Sequence, residues 1–473
     1  MAITQRNTPL LHRKEWQMMT PAPAASAPGA FVIAPNSGNF NNSLYFLNNT
    51  THYIYNHDED AFMQIPSGAF AGAFGAGACG TYHQWSINYT ANGGSTTTVT
   101  VAAASFNITG RAVGQTIEFI SAGTASGFRT TITSILNNAG AGTITLGLAS
   151  AAPTAILNTH TFRISTGKFY ALSAGTLAAG SFKVFDVATM AWQANLSITN
   201  LPATWGTDGE MCSAYTFGET FATGTATAGA ASTLTNGAKA WATNQWANYQ
   251  VRITAGTGIG QVRTIASNTG TVLTVSANWT TNPDATSQYV IEANEDYLYV
   301  LGNNAVTMYR YSISANTWTV LSPGVARAAA PGAGMGAVPI GITGDTGWAN
   351  ENAILNGRYI YSLRAGGSSA IDRYDIAANS WAAVALVNAE TFTTGSAIFN
   401  SGEYIYIRKD ATNRFFKYSV VDNAQRPLTT NQYPDGTAIV GSKLWVKNLQ
   451  GSSIQWLYSL QNTGVALHRI MLY

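Results

Sequence analysis

The chain has 473 residues, and only 10% of them are charged: Lys and Arg number 24, Asp and Glu 22, for a net charge of +2. A typical soluble domain carries about 25% charged residues; here the shortfall is filled by Gly, Ala, Thr, Ser and Asn, while the hydrophobic share stays at 46%. So little charge excludes a coiled coil, a charged disordered tail and a salt-bridge-laced helical enzyme, and so small a net charge gives no electrostatic case for binding nucleic acid or a membrane.

The first segment, MAITQRNTPLLHRKEWQMM, has no apolar h-region, so no signal peptide is expected. No stretch approaches 18 consecutive apolar residues, so no membrane insertion is expected. Residues 10–19 are the one short, polar helical candidate. The segment from Thr20 to Gly29, TPAPAASAPG, cannot hold a helix or a strand and reads as a linker. Residues 1–30 are therefore expected to be an arm and linker. From there on, short Tyr/Ile/Val/Phe/Thr runs alternate with Gly, Asn, Ser and Pro, the pattern of an all-β chain. Two cysteines, Cys79 and Cys212, make no disulfide framework, and reduced, buried thiols from synthesis in a cytoplasm are expected.

One element recurs: an aromatic, a turn former five residues on, and a second aromatic seven residues on. Tyr311…Asn316…Trp318 and Tyr374…Asn379…Trp381 match position for position. Phe185…Met190…Trp192 and Tyr55…Asp60…Phe62 keep both aromatics. Tyr418…Asn423…Gln425 keeps the spacing without the Trp, and Tyr458…Thr463…Val465 is a weaker copy. A strand such as Asp296-Tyr-Leu-Tyr-Val-Leu or Gly357-Arg-Tyr-Ile-Tyr-Ser-Leu precedes most copies. Several end in glycine, as at Gly175, Gly302 and the pair Gly366-Gly367. Each unit is expected to be three or four strands, with the first aromatic on strand three and the Trp on strand four. Packed radially, such units cover one another's faces, so Tyr55, Phe185, Trp192, Tyr311, Trp318, Tyr374, Trp381, Tyr418 and Tyr458 are the expected packing aromatics.

The first two repeat intervals are longer than a four-stranded unit needs, and each carries an insertion after a cysteine-bearing first strand. The insertions resemble each other. Gln115 to Arg129 with Ile135 to Asn138 matches Gln250 to Arg263 with Ile265 to Asn268. The expected organisation is 31–91 repeat units, 92–165 first inserted β-module, 166–222 repeat unit, 223–292 second module and 293–473 repeat units. Cys79 and Cys212 are expected at equivalent places. A Gly/Ala/Pro-rich loop runs from Pro323 to Asn350.

The glycine pair Gly366-Gly367, Tyr374 and Trp381 resemble a kelch repeat, which implies a kelch-like β-propeller, of six blades on the six copies. The stretch from Trp241 to Asn268, with Trp279 and Pro283 to Ile291, is similar to a module of phage structural proteins. Together these resemble the tail nozzles of short-tailed phages. That resemblance implies a virion protein forming a ring around the DNA channel. Its partners would be other copies of itself, adaptor and fibre proteins, and DNA passing without sequence-specific contact. The alternative is a receptor-binding or decoration protein that recognises host glycans through exposed Trp241, Trp246 and Trp279.

No enzymatic constellation is visible. His12, His52, His57, His83, His160 and His468 make no metal-ligand spacing, so no metal or cofactor is expected. His57-Asp58-Glu59-Asp60 reads as a hairpin turn. Gly256-Thr-Gly-Ile-Gly260 lacks the Lys-Ser/Thr of a phosphate loop and reads as a tight turn.

Overall fold

A computed structural model describes most of the chain. The residues outside it are chiefly 1–16, 24–30, 34–42, 103–115, 328–336, 340–358 and 428–442, with shorter loop stretches. The pair Gly366-Gly367, His12, His57, Asp58, Asn423 and most of the Pro323–Asn350 loop lie among them.

The protein is all-β. Its described strands include five antiparallel four-stranded sheets and a nine-stranded sheet, one part of which repeats the same four-stranded arrangement and is counted here as sheet two. Sheet one is Phe31–Ile33, Ser43–Asn48, Thr51–Asn56 and Ala61–Ile65. Sheet two takes one end of Cys79–Thr90 and one end of Thr161–Leu172, then Phe182–Asp186 and Ala191–Asn195. Sheet three is Glu210–Ala214, Tyr297–Leu301, Met308–Ser312 and Thr317–Val320. Sheet four is Ala337–Pro339, Tyr359–Leu363, Ala370–Asp375 and Ser380–Ala385. Sheet five is Ala397–Ser401, Tyr404–Arg408, Phe415–Ser419 and Ala424–Pro427. Sheet six is Lys443–Asn448, Gln455–Leu460 and Leu467–Leu472, and its fourth strand is Gln17–Met18 from the other end of the chain. The first strands lie beside one another in the order one to six, and that of sheet six returns to that of sheet one.

The second strands are buried on both faces, which is why they read as continuous apolar runs such as YLYVL and YIYSL without alternation. Each carries a tyrosine at one register position: Tyr45, Tyr170, Tyr299, Tyr361, Tyr406 and Tyr458, all buried. The residue before it stands opposite the third-strand aromatic, as Leu298 does Tyr311 and Ile360 does Tyr374. These tyrosines reach forward to the next sheet. Ring centroids of Tyr45 and Phe185 are 5.8 Å apart, those of Tyr170 and Tyr311 6.3 Å, and those of Tyr299 and Tyr374 6.3 Å. Tyr458 packs in one cluster with Tyr55 of sheet one.

That register corrects the sixth sequence repeat. Tyr458 lies on the second strand of its sheet, opposite Arg469, and the third-strand position is taken by Ile470. The expected arm is corrected as well. Gln17–Met18 pairs with Met18 opposite His468, the Met19 amide donates to the Leu467 carbonyl at 2.8 Å, and Met19 and Ala22 are buried. These residues complete a sheet of their own chain, because the third strand of sheet six otherwise leaves an unpaired edge.

The recurring turn is a latch between sheets. Asp60, Asn316 and Asn379 all adopt positive φ, at 47°, 52° and 45°, a conformation Asn and Asp tolerate better than most residues. Each side chain accepts a hydrogen bond from the hydroxyl of the preceding tyrosine: Tyr55 at 2.7 Å, Tyr311 at 2.7 Å and Tyr374 at 2.6 Å. Each also holds the strand exit of the previous sheet. Asn316 Oδ1 accepts from the Ser197 amide at 2.8 Å, Asp60 Oδ1 from the Thr20 amide at 2.8 Å, and Asn379 Nδ2 donates to the Ser322 carbonyl at 3.0 Å. Ser197, Ser322 and Thr20 each lie two residues past a fourth strand. Asn316→Ala removes both acceptor bonds and leaves a side chain poorly suited to positive φ. It is expected to cost about 2–3 kcal/mol in urea unfolding, while Asn316→Asp keeps most of the stability.

The two insertions share one topology. In each, a long strand bends at a register shift, between Ile132 and Ser134 in the first and between Ile265 and Ser267 in the second. Before the shift that strand pairs with Thr116–Ser121 or Gln250–Ala255, and after it with Thr143–Leu148 or Val272–Val275. The bend aligns Ile132 with Ile265, correcting the sequence match of Ile135 to Ile265. Outer faces are threonine-rich because strands such as TVTVA and TITLGL alternate strictly between core and surface. Tyr89, Ala91, Phe162 and Ile164 belong to the first module's core, so that module begins before residue 92, along the unbroken pairing of Cys79–Thr90 with Thr161–Leu172.

Candidate functional site

The expected packing aromatics lie on third and fourth strands as the repeat has them, except Tyr458, which packs from a second strand. Tyr55, Phe185, Tyr311, Trp318, Tyr374, Trp381, Tyr418 and Tyr458 are buried, and Trp192 is partly buried against the same cores. The paired rings lie 4.9 to 5.2 Å apart between centroids. Gln425, in place of the fifth Trp, is buried opposite Tyr418.

The expected exposed platform is corrected. Trp246 and Trp279 are 2% and 4% exposed and sit in the second module's core with Tyr249, Val251 and Tyr289, while Trp241 is partly buried against that core. A small two-layer module has few other bulky side chains to fill its middle, so its tryptophans go inward. The Trp246 amide donates to Asn268 Oδ1 at 2.7 Å, and the Arg263 guanidinium lies 5.5 Å from the Trp279 ring. The exposed apolar side chains of the modules are aliphatic: Leu136 and Leu157 in the first, Ile259 and Val262 in the second.

Cys79 and Cys212 both lie on first strands and both face the following sheet. Cys79 stands opposite Leu172 and Cys212 opposite Tyr299, two residues apart in the common register. The expected equivalence therefore holds for strand and face, and fails for height along the strand. Burial pushes the Cys212 thiol well above its ordinary value, which makes it a poor nucleophile.

Gly256 and Gly258 make turns at φ of 77° and 82°. A Cβ on Gly256 would come within 2.0 Å of the Thr286 carbonyl oxygen, so this run is a packed turn. Asp284 anchors it. Its carboxylate accepts from the Thr286 hydroxyl at 2.6 Å, the Thr286 amide at 2.8 Å and the Thr257 hydroxyl at 2.8 Å. These bonds, the Thr286 hydroxyl first, hold its pKa below the ordinary 3.8. A depressed folded value favours the folded loop above pH 3.8 and is lost as pH falls through the lower folded value. The Thr286 amide is thus expected to keep its exchange protection through pH 3.8 in the wild type and to lose it at neutral pH in Asp284→Ala, read by hydrogen exchange.

Two charged groups are built into the sheets. Arg327 Nε meets Asp372 Oδ2 at 2.8 Å with both side chains buried, and Arg364 pairs with the other carboxylate oxygen. Arg327 also donates to the Leu363 carbonyl at 3.0 Å. Burial lowers the Arg327 pKa and Asp372 opposes that shift. Glu390 bridges Lys409 and Arg414, each at 2.8 Å. Near module two, Arg310 is partly buried among Tyr249, Tyr297, Tyr299 and Tyr374. Burial disfavours its charge, but the tyrosine oxygens outweigh it and raise its pKa.

Sequence reasoning missed the second-strand tyrosines and the third-strand cations. The signal was present as Leu/Ile/Phe-Tyr in every second strand and as Arg310-Tyr311, Arg373-Tyr374 and Lys417-Tyr418 in the third. Among the described residues no group of three or more His, Cys, Asp or Glu is placed to hold a metal ion, and no helix is long and apolar enough to cross a membrane. The chain matches no known protein-family model and no curated protein. The arrangement offers packed, latched sheets and two near-neutral modules with exposed aliphatic side chains, a chemistry of contact.

Proposed function

We propose that the chain is a structural component of a tailed-phage virion, a nozzle subunit at the end of a short tail, built as a six-bladed kelch-like propeller. The six sheets are read as its blades, on the strength of first strands that neighbour one another in cyclic order and of tyrosines that reach from each sheet to the next. The observation that carries the functional reading is the pair of modules. Two copies of one topology grow from the strand-one to strand-two connection of adjacent sheets, and both present aliphatic residues, Leu136 and Leu157, Ile259 and Val262, to solvent. Such side chains suit surfaces covered by neighbours in a ring, and neutral polar faces cost less to bury than unpaired charges. Adaptor and fibre proteins would be the further partners, with DNA passing through the ring unread. The glycan-binding alternative has lost its aromatic platform to the module core.

The test is assembly. The purified chain, or the particle that carries it, is expected to show rings by cryo-electron microscopy, with both modules at subunit or adaptor contacts. A monomer that binds host cells and blocks adsorption would overturn the proposal.

A further inference from the structure

Among the described residues asparagine is followed by glycine twice, at Asn92-Gly93 in module one and at Asn236-Gly237 in module two. The pair is a reactive one, because a glycine nitrogen has no side chain beside it to hinder attack on the neighbouring carboxamide. The fold treats the two copies in opposite ways.

Asn236 is 4% exposed. Its Nδ2 donates to the Tyr289 hydroxyl at 2.9 Å, its Oδ1 accepts from the Ala238 amide at 3.1 Å, and the Gly237 amide donates to Thr227 Oγ1 at 3.2 Å. Both the carboxamide and the nitrogen that would attack it are therefore held. Asn92, by contrast, is exposed. It stands where the strand Cys79–Thr90 passes through Ala91 into Gly93–Gly94, a two-residue strand at the edge of its sheet. Gly93 has a φ of 126°, and a Cβ built on it would meet nothing within 4 Å. A short, exposed edge of this kind opens at low cost.

Module two builds the same corner without the reactive pair. The Ala91 and Ala226 amides donate to the His160 and Ser287 carbonyls, each at 2.8 Å, and the Asn92 and Thr227 amides donate to the Thr100 and Thr235 carbonyls at 2.6 and 2.7 Å. Gly93 pairs with Thr100 as Ala228 pairs with Thr235. At this corner, then, only module one carries a carboxamide followed by glycine.

We propose that Asn92 is a site of spontaneous deamidation. The Gly93 nitrogen attacks Asn92 Cγ, the N–Cγ bond forms, the Cγ–Nδ2 bond breaks, and ammonia leaves with the proton of the Gly93 amide. Water then opens the resulting five-membered imide. Opening at the side-chain carbonyl gives aspartate; opening at the main-chain carbonyl gives isoaspartate, which adds one methylene to the backbone where Gly93–Gly94 begins. Either product places a carboxylate on one near-neutral module and leaves the other unchanged. The site stands independently of the virion reading.

The test ages the full chain in mildly alkaline buffer and maps its peptides by mass over time, with isoaspartyl methyltransferase labelling to detect isoaspartate. The peptide holding Asn92 is expected to gain about 1 Da. The peptide holding Asn236 is expected to lag by about 100-fold, because three hydrogen bonds must open first. In urea the two are expected to react at comparable rates, since the local sequence is then all that matters. Asn92→Thr, which installs the residue of the module-two corner, is expected to abolish the gain and keep the Tm of the wild type. Equal rates at the two pairs in the folded chain, or no gain at Asn92 over a period in which it reacts in urea, overturns the proposal.

Discussion

Asp372→Ala is expected to destabilise the chain by about 3–5 kcal/mol, the largest single loss among the charged residues. Asp372 is 1% exposed and is held between Arg327 and Arg364. Without it the Arg327 guanidinium, whose side chain is fully buried, loses its carboxylate partner. Arg364 can turn to water because its side chain is 22% exposed; Arg327 cannot. The loss should therefore shrink when the buried charge is removed as well. Arg327→Met combined with Asp372→Leu is expected to lie within about 1–2 kcal/mol of the wild type, because an apolar pair of similar volume carries no desolvation cost. Urea midpoints of the single and double variants provide the check. Equal losses in both would show that packing, and not the stranded charge, sets the cost.

Trp318→Ala is expected to cost a similar amount, about 3–5 kcal/mol, by leaving a large cavity. Trp318 is 1% exposed and packs on Tyr311 at 5.0 Å and on Phe182 of sheet two at 5.1 Å between ring centroids. Its indole N–H donates to the Ser197 carbonyl at 2.8 Å, across the same boundary that Asn316 latches. Trp318→Phe keeps most of the ring contact and loses the bond, for about 1–2 kcal/mol. A steep loss for alanine and a shallow one for phenylalanine, read as Tm by calorimetry, would separate cavity from hydrogen bond.

The third-strand repeat was legible because its parts are local. Tyr, Asn and Trp at fixed offsets lie on one hairpin, and the hydrogen bond from Tyr311 to Asn316 spans five residues. What escaped was non-local. Nothing near Gln17 and Met18 in the sequence marks them as partners of Arg469 and His468. Tyr458 was placed one strand too late because its own fourth strand is missing from its neighbourhood. The module tryptophans illustrate a second limit. Trp246 and Trp279 read as exposed when taken with their polar surroundings, but three-dimensional closure of a small core, not the flanking sequence, decides their burial. The second-strand tyrosines were hidden for a different reason: a strand buried on both faces has no alternation to set one residue apart.

The pairing of Gln17 with Arg469 joins residues 452 positions apart. In a chain made at about 5–20 residues per second, the early strand waits on the order of tens of seconds to minutes for its partner to be synthesised. Sheets one to five can assemble as they emerge. Sheet six cannot, and until it does the Tyr55 face of sheet one lacks the cover of Tyr458 and Met471. Folding of this chain is thus gated by the synthesis of Leu467–Leu472, with the seam between sheets six and one expected to be the final part to become protected from exchange.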